Sequence, residues 1–300
     1  MSPITRRSLL KTAAVSATGF ILPSLGASKA VSAAEKVAET VEAVETYVPK
    51  GKIRQSVSKW CFGKYPLDEF CRICKKLGMP GIDLLDPDAW DLMLKNDMIV
   101  TMGNVPGASI PVGFNKLQNH DKLVEAYERV IPLAAEKKVP NLICFSGNRE
   151  GTSDEEGIEN CVIGLKRVLP SAEKHGVTLQ MELLNARGHK DYHCDHTKWG
   201  AEIARKIGSE RFKLLYDIFH MQIMEGNIID TIKEYKDVIG HYHTAGVPGR
   251  KDLDEHQELF YPPIMRAILA TGFTGFVAHE FHPKSDLQSL RQAIEVCDVT

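Results

Sequence analysis

The sequence predicts a single-domain α/β fold of the (β/α)8 type, the TIM barrel. From about residue 53 onward, short β-rich runs alternate with amphipathic stretches of helical period, and eight such pairs fit into about 250 residues. No predicted strand is followed by a Gly-rich dinucleotide fingerprint or a P-loop, which disfavours an open nucleotide-binding sheet. A doubly wound open sheet remains the alternative that strand counting alone leaves open.

Each predicted element follows from its local pattern. The strands are short runs rich in β-branched and apolar residues, and the stretches between them carry apolar residues at helical spacing. Several helices end in Gly just before the next strand, as at Gly78 and Gly176, where a helix C-terminus is expected. The predicted strands are 55–60, 81–85, 99–103, 141–146, 177–183, 213–218, 240–244 and 275–280. The predicted helices lie near 67–78, 87–96, 117–138, 154–175, 197–208, 224–238, 260–271 and 285–297.

Residues 1–33 have the pattern of an export signal. Arg6 and Arg7 directly precede Ser-Leu-Leu-Lys, and a short apolar stretch and an A-x-A-like series of small residues follow. The arrangement resembles a twin-arginine signal and predicts export to the periplasm, with an amphipathic or disordered leader as the alternative. The apolar part is shorter than the roughly 20 residues of a membrane span, so we expect no stable membrane anchor. We expect a polar linker, partly helical, at 34–52 and the barrel at 53–300.

Charge argues against nucleic acid as a partner. The chain holds 37 Lys and Arg against 39 Asp and Glu, a net charge of −2. Arg6, Arg7, Lys11 and Lys29 are the charged residues of 1–33, so the remainder holds 33 basic against 39 acidic residues, a net charge of −6. A body of that charge is poorly suited to binding DNA or anionic lipid without specificity.

The seven cysteines do not form a disulfide or zinc pattern. Their number is odd and their spacing is irregular. Cys71 and Cys74 form a C-x-x-C, but they lie within an apolar helical pattern and no second pair is present to complete a zinc site. We therefore expect thiols in the core.

Four predicted strands in succession place a potential metal ligand near their C-terminal end, where a barrel carries its chemistry. These residues are Glu182, Asp217, His243 and Glu280, and each lies in otherwise apolar sequence. Four unrelated buried polar residues are the alternative, but unpaired buried charges are costly and a divalent cation would offset that cost. Three carboxylates and one imidazole suit Mn²⁺, Mg²⁺ or Co²⁺ better than a structural Zn²⁺ site.

The segments 181–185, 217–226 and 240–248 resemble the xylose isomerase-like barrels, and among these the hydroxypyruvate isomerases most closely. Residues 258–262 and 272–280 extend the resemblance, which is looser before residue 177. It implies a metal-dependent enzyme in which Glu182 and Glu280 transfer protons. It also implies that His220, Arg250 and Asn104 bind substrate.

The resemblance is incomplete in two places. Hydroxypyruvate isomerases usually carry Gln where His243 stands, whereas ketose 3-epimerases of the same superfamily carry His. Those epimerases also carry an acid at the position of Gly188, and the loop 188–196 matches neither pattern. Its histidines, His189, His193 and His196, could supply a further metal ligand, but the irregular loop favours a position on the surface.

The residues support a metal-assisted 1,2-proton shift through a cis-enediolate, such as hydroxypyruvate to tartronate semialdehyde. Arg250 would suit a substrate carboxylate, with a solvated arginine in a charged loop as the alternative. For His220 the alternative is a histidine at a helix start that is bonded to a backbone carbonyl. Trp60 and Phe62, after the first strand, are expected either to line the pocket or to cap the barrel. The oligomeric state stays open.

Other functions remain alternatives at this point. A ketose 3-epimerase and a lyase acting on a 3-keto-glycoside would use the same chemistry on a small sugar substrate. An endonuclease IV-like phosphodiesterase would need a basic groove, which the charge of −6 disfavours. A sugar-binding protein without catalysis would retain its function after Glu182→Gln or Glu280→Gln.

Overall fold

The computed structural model describes residues 41–300, so the predicted export signal at 1–33 lies outside the described residues. Eight parallel strands close into one barrel in the order β1 to β8, and β1 pairs with β8 to complete it. Helices connect successive strands and surround the barrel. The predicted single-domain (β/α)8 fold is confirmed.

The strand positions agree closely with the sequence prediction. Two strands match it at both ends, and the other six differ by one or two residues at one end or both. The strands are β1 (Arg54–Ser58), β2 (Gly81–Leu85), β3 (Ile99–Gly103), β4 (Asn141–Cys144), β5 (Thr178–Glu182), β6 (Phe212–Asp217), β7 (Ile239–Thr244) and β8 (Phe276–His279). The α-helices that follow β1 are α1 (Leu67–Lys76), α2 (Trp90–Lys95), α3 (His120–Glu136), α4 (Asp154–His175), α5 (Thr197–Ile207), α6 (Ile218–Met224), α7 (Ile228–Glu234), α8 (Tyr261–Ala270) and α9 (Leu287–Cys297).

The prediction of one helix was wrong. The pattern at 224–238 predicted a single helix, but the chain forms two short helices, α6 and α7, and the first begins directly after β6. Asp217 starts α6 because its side chain accepts hydrogen bonds from the backbone N–H groups of Phe219 and His220. Gly226 and Asn227 both have positive φ, which ends the first helix before the second begins.

The barrel interior contains an apolar cluster beneath the strand ends. Met102, Ile143 and Leu215 pack together there, from β3, β4 and β6. Because β4 and β6 are not neighbours in the barrel, this contact runs through its interior. The larger apolar core lies between the strands and the surrounding helices, and Cys71 and Cys74 are buried within it as free thiols.

Residues 41–52, the described part of the predicted linker, lie against the barrel. Val41 is 2% exposed and belongs to the hydrophobic core. The hydroxyl of Tyr47 donates a hydrogen bond to Asp298 at 2.6 Å, and the backbone N–H groups of Lys50 and Gly51 donate to the same carboxylate at 2.8 and 2.6 Å. Asp298 follows α9, and Lys52 donates its backbone N–H to the carbonyl of the next residue, Val299, at 3.2 Å, so these contacts join the segment before β1 to the end of α9. Within residues 41–300, no helix is long and apolar enough to cross a membrane.

Candidate active site

The four predicted metal ligands come together at the C-terminal ends of β5 to β8. Glu182 and Asp217 are the last residues of β5 and β6, His243 lies one residue before the end of β7, and Glu280 directly follows β8. All four are buried, and one ligand atom from each lies within 4.8 Å of the other three. We call this group the carboxylate cage. Its geometry follows from the parallel barrel, which brings equivalent positions of neighbouring strands to one level.

The imidazole of His243 faces the other three cage residues. Its Nδ1 lies 2.6 Å from Oε2 of Glu280, 3.5 Å from Oε1 of Glu182 and 4.0 Å from Oδ2 of Asp217. This buried nitrogen nevertheless makes no hydrogen bond of good geometry with any residue of the described chain. One imidazole nitrogen and three carboxylate oxygens form a ligand set for a divalent cation once the imidazole is neutral, and the donor types suit Mn²⁺, Mg²⁺, Co²⁺ or Zn²⁺.

The pKa values of the cage residues are widely separated. Burial raises the pKa of Glu182 to about 7, and the nearby carboxylates of Glu280 and Asp217 add to the increase. Burial also raises the pKa of Asp217, although Arg250 acts in the opposite direction. For Glu280 the effect of burial is outweighed by Arg250 and His243, which lower its pKa to about 2. Two carboxylates with such different proton affinities suit different steps of an acid–base reaction.

Arg250 lies against the cage, and its role in substrate binding stays a prediction. Its Nη2 is 2.5 Å from Oε2 of Glu280 and 3.1 Å from Oδ2 of Asp217. The guanidinium also stands over the rings of Trp60 and Phe219, at 5.6 and 5.5 Å from their centres. It therefore supplies a largely buried positive charge where a substrate oxygen or carboxylate would enter.

His220 has a defined tautomer. The backbone N–H of Asn185 donates to its Nδ1 at 3.0 Å, and the side-chain amide of Asn185 lies 2.6 Å from the same atom. Nδ1 is thus the acceptor, and Nε2 carries the proton. Nε2 is buried, has no hydrogen-bond partner among the described residues and lies 3.5 Å from Oδ2 of Asp217. His220 can therefore donate a hydrogen bond into the site, and its role as a substrate contact stays a prediction.

The loop after β5 differs from the expectation of three surface histidines. The ring of His189 is half-buried and lies 5.4 Å from that of His220, beside the cage. His193 is fully buried and stacks on Trp199 with ring centres 4.5 Å apart. The expectation was therefore wrong for these two residues, because the loop folds back over the barrel. Only His196 of the three has a largely exposed side chain.

Asn104 lies directly after β3, away from the four cage strands. Its side-chain amide donates to Asp86 at 3.0 Å. Both residues line a cavity of about 590 Å³ at the ends of β2 to β4, whose apolar wall includes Ile143 and Phe145. The structure thus places this predicted substrate contact in a cavity at the same end of the barrel as the cage.

The two aromatic residues after β1 have different roles. The indole N–H of Trp60 donates to Oε1 of Glu280 at 2.8 Å, so this side chain belongs to the site. Phe62 is buried against Phe70 and Phe281 and therefore caps the barrel.

Sequence reasoning missed Asp83, which is fully buried in β2. Its Oδ2 lies 2.8 Å from Nε2 of His243, and Oδ1 lies 3.2 Å from Nε2 of His241. Burial would raise the pKa of Asp83, but these two histidines outweigh it and hold the pKa well below the usual range. The available signal was one acid in the middle of the otherwise apolar run Gly81–Leu85.

Relatives of this chain are isomerases by name. The hydroxypyruvate isomerase of Escherichia coli K12 is 22% identical over 239 residues, which cover 76% of this chain and 92% of that protein. A 2-oxo-tetronate isomerase of Cupriavidus necator is 31% identical over 115 residues, or 38% of this chain and 44% of that protein. A human candidate hydroxypyruvate isomerase is 36% identical over 107 residues, 35% of this chain and 39% of that protein. The chain thus spans less than half of the length of the last two.

Solved structures share the fold. An AP endonuclease, family 2, from Brucella melitensis has a TM-score of 0.70 at 21% identity, covering 80% of this chain and 96% of that one. A 3-keto-D-glucoside 4-epimerase from E. coli has a TM-score of 0.67 at 17% identity, covering 81% and 98%. At these identities the likeness concerns the fold alone. The model of the xylose isomerase-like TIM barrel family matches residues 35–298, and the chain belongs to that family.

Proposed function

We propose that this protein is a metal-dependent isomerase that moves a proton between adjacent carbons of a small hydroxy-carbonyl substrate. The observation that carries the proposal is the carboxylate cage, in which the buried Nδ1 of His243 faces carboxylate oxygens of Glu182, Asp217 and Glu280. A divalent cation held by these four residues would polarise a carbonyl oxygen of the substrate and the neighbouring hydroxyl. This would acidify the C–H bond of the carbon that carries the hydroxyl. Mn²⁺, Mg²⁺ and Co²⁺ are the candidates that we favour.

The two glutamates provide the proton transfer. They come from β5 and from the end of β8, with β6 and β7 between them, so they approach a bound substrate from different directions. One glutamate takes the proton from carbon, and the same or the other one returns it to the adjacent carbon. In the cation-free protein Glu182 has a pKa of about 7 and Glu280 one of about 2, which makes Glu182 the stronger base of the two.

Two further side chains would orient the substrate. The Nε2–H of His220 is aimed at the site with no partner in the described chain, so it would donate to a substrate oxygen. Arg250 would bind a substrate carboxylate, such as that of hydroxypyruvate, and leave Glu280 and Asp217 to the cation.

The names of the relatives support hydroxypyruvate or a 2-oxo-tetronate as the type of substrate. One observation favours larger substrates as a second candidate. The cavity that Asn104 and Asp86 line, of about 590 Å³, exceeds the needs of a three-carbon acid and carries groups that bind hydroxyls. A ketose 3-epimerase, or a lyase acting on a 3-keto-glycoside by the same proton abstraction, is therefore kept as the alternative.

The experiment is an exchange assay in D₂O. Cation-free protein is loaded with Mn²⁺, Mg²⁺ or Co²⁺ and incubated with hydroxypyruvate, a set of ketoses and a 3-keto-glucoside. We expect deuterium at the carbon that receives the proton in the recovered isomer of hydroxypyruvate. Deuterium at C3 of a ketose would select the epimerase, and release of the aglycone would select the lyase. Equal behaviour of cation-free and cation-loaded protein on every substrate would refute the proposal.

We also propose that the protein acts in the periplasm, because residues 5–33 combine a twin arginine, a short apolar stretch and small residues. Replacing Arg6 and Arg7 with Lys should leave the protein in the cytoplasm, as fractionation and immunoblotting would measure. Continued export of this variant would contradict the proposal.

The net charge of −6 outside the leader supports small molecules over nucleic acid as partners.

A further inference from the structure

We infer that Asp83 is a positioning residue that fixes the ring of His243 for cation binding. The inference rests on the proposed metal-dependent function and assigns a role outside the four cage residues. Oδ2 of Asp83 accepts a hydrogen bond from Nε2 of His243 at 2.8 Å. A carboxylate can only accept, so Nε2 carries a proton, and Nδ1 is the nitrogen left to bind a cation once it has released its own proton. Nδ1 is also the nitrogen that faces the cage.

The contact crosses the barrel. Asp83 lies on β2 and His243 on β7, and β1 and β8 stand between these strands in the closed sheet. The carboxylate therefore reaches His243 through the barrel interior, and both side chains are 0% exposed. Water does not compete for this hydrogen bond, so the ring orientation is set by the protein.

Asp83 is itself held in place. The hydroxyl of Thr101, on β3, donates to Oδ1 at 2.5 Å and lies 3.0 Å from the hydroxyl of Ser56, on β1. Oδ1 also lies 3.2 Å from Nε2 of His241. Both carboxylate oxygens are thus occupied, by groups from two other strands of the barrel. Rotation of the carboxylate would break several contacts at once, and the acceptor for His243 stays fixed.

If Asp83 and His243 formed a purely structural pair, replacing Asp83 would have a different outcome than if Asp83 positions His243. A structural pair affects folding stability alone, whereas a positioning residue also changes the affinity for the cation. In Asp83→Asn the amide keeps one acceptor oxygen but loses the negative charge, so the imidazole becomes a weaker ligand and its tautomer is less strictly set. Loss of a carboxylate behind a metal-binding histidine typically weakens cation binding by about 10- to 100-fold.

The test measures Co²⁺ binding to cation-free full-length protein, by calorimetry and by the visible absorption of the bound ion. We expect Asp83→Asn to bind Co²⁺ about 10- to 100-fold more weakly and with a shifted absorption band. The matched control is Asp298→Asn, which removes a hydrogen-bonded carboxylate at the opposite end of the barrel. The control should lose stability only, and keep the affinity and spectrum of the parent.

A second variant keeps the inference testable if Asp83→Asn does not fold. Thr101→Val keeps the carboxylate and removes one donor to it, and we expect Co²⁺ binding about two- to fivefold weaker. Parent affinity and an unchanged spectrum in the folded variants would overturn the inference, as would a parent that binds no Co²⁺. If the parent binds Co²⁺ but isomerises no substrate, the proposed function fails while the affinities still decide the role of Asp83.

Discussion

The two halves of the barrel contribute differently to the site. Strands β5 to β8 supply all four side chains of the carboxylate cage, each at the end of its own strand. Strands β1 to β4 supply none of these, but Trp60 and Asp83 from that half hydrogen-bond to Glu280 and His243. The cage residues and the groups that hydrogen-bond to them therefore come from opposite sides of one closed sheet.

The halves also differ in what they offer a substrate. The cage half combines buried acids with Arg250, a strong positive charge at the reacting end. The end of β2 to β4 offers a cavity with Asn104 and the exposed carboxylate of Asp86 beside an apolar wall. We propose that a substrate places its carbonyl near β5 to β8 and, where it is long enough, its remaining carbons toward β2 to β4.

Replacing Glu182, the residue of the cage half that we propose transfers the proton, should have the largest effect. We expect Glu182→Gln to lower kcat by about 10³-fold, because the amide cannot accept the proton from carbon. Steady-state kinetics on the substrate that the exchange assay identifies would measure it. Glu295→Gln, at the surface of α9, is the matched control and should behave as the parent. Activity of Glu182→Gln within tenfold of the parent would assign proton transfer elsewhere.

A change in strands β1 to β4, which we call the supporting half, should have a smaller effect on the same reaction. Trp60→Phe keeps an aromatic ring beside Arg250 but removes the indole N–H that donates to Glu280. We expect kcat to fall about tenfold, since a hydrogen bond to a charged group is lost and Glu280 is less well oriented. A kcat equal to that of the parent would mean that this half does not orient the cage.

The cavity of the supporting half should affect binding and not chemistry. We expect Asn104→Ala to raise KM about threefold for a six-carbon ketose and to leave kcat unchanged. KM for hydroxypyruvate should not change, because a three-carbon acid does not extend to the end of β3. An equal rise in KM for both substrates would show that the cavity does not distinguish them by length.

The smallest expected effect concerns pH. The folded protein raises the pKa of Glu182 from 4.5 to about 7, so without a cation it binds more protons in this window than the unfolded chain. Its contribution to stability is present below pH of about 4.5 and is lost as pH rises toward about 7. Thermal unfolding of cation-free protein should show Tm falling by a few degrees over this range, and Glu182→Gln should reduce the fall. An identical pH profile for both proteins would contradict the raised pKa.

The sequence predicted the cage half better than the supporting half. In β5 to β8 each ligand lies at or next to the end of its own strand, so reading one strand at a time was sufficient. Asp83 was missed because its place in the site depends on its contact with His243, which lies 160 residues further along the chain. Trp60 was left undecided for the same reason, since its partner Glu280 is 220 residues away.

Sequence patterns of short segments also gave wrong predictions for two connections, those after β5 and β6. The pattern at 224–238 predicted one helix, but Asp217 caps a helix immediately after β6 and the positive φ of Gly226 and Asn227 ends it. His189 and His193 were expected on the surface, and the loop that carries them folds back over the barrel. Both failures concern the path of a connection, which depends on what it packs against.

The sequence by itself determined the barrel and the identity of the four cage residues, because hydrophobic periodicity and strand-end position are properties of short segments. Tertiary structure decided the tautomer of His220, the ion pairs of Arg250 and the contact of Asp83 with His243. These depend on distances between strands that only the closed sheet brings together. The chemistry of the site is thus encoded strand by strand, whereas its orientation is set across the barrel.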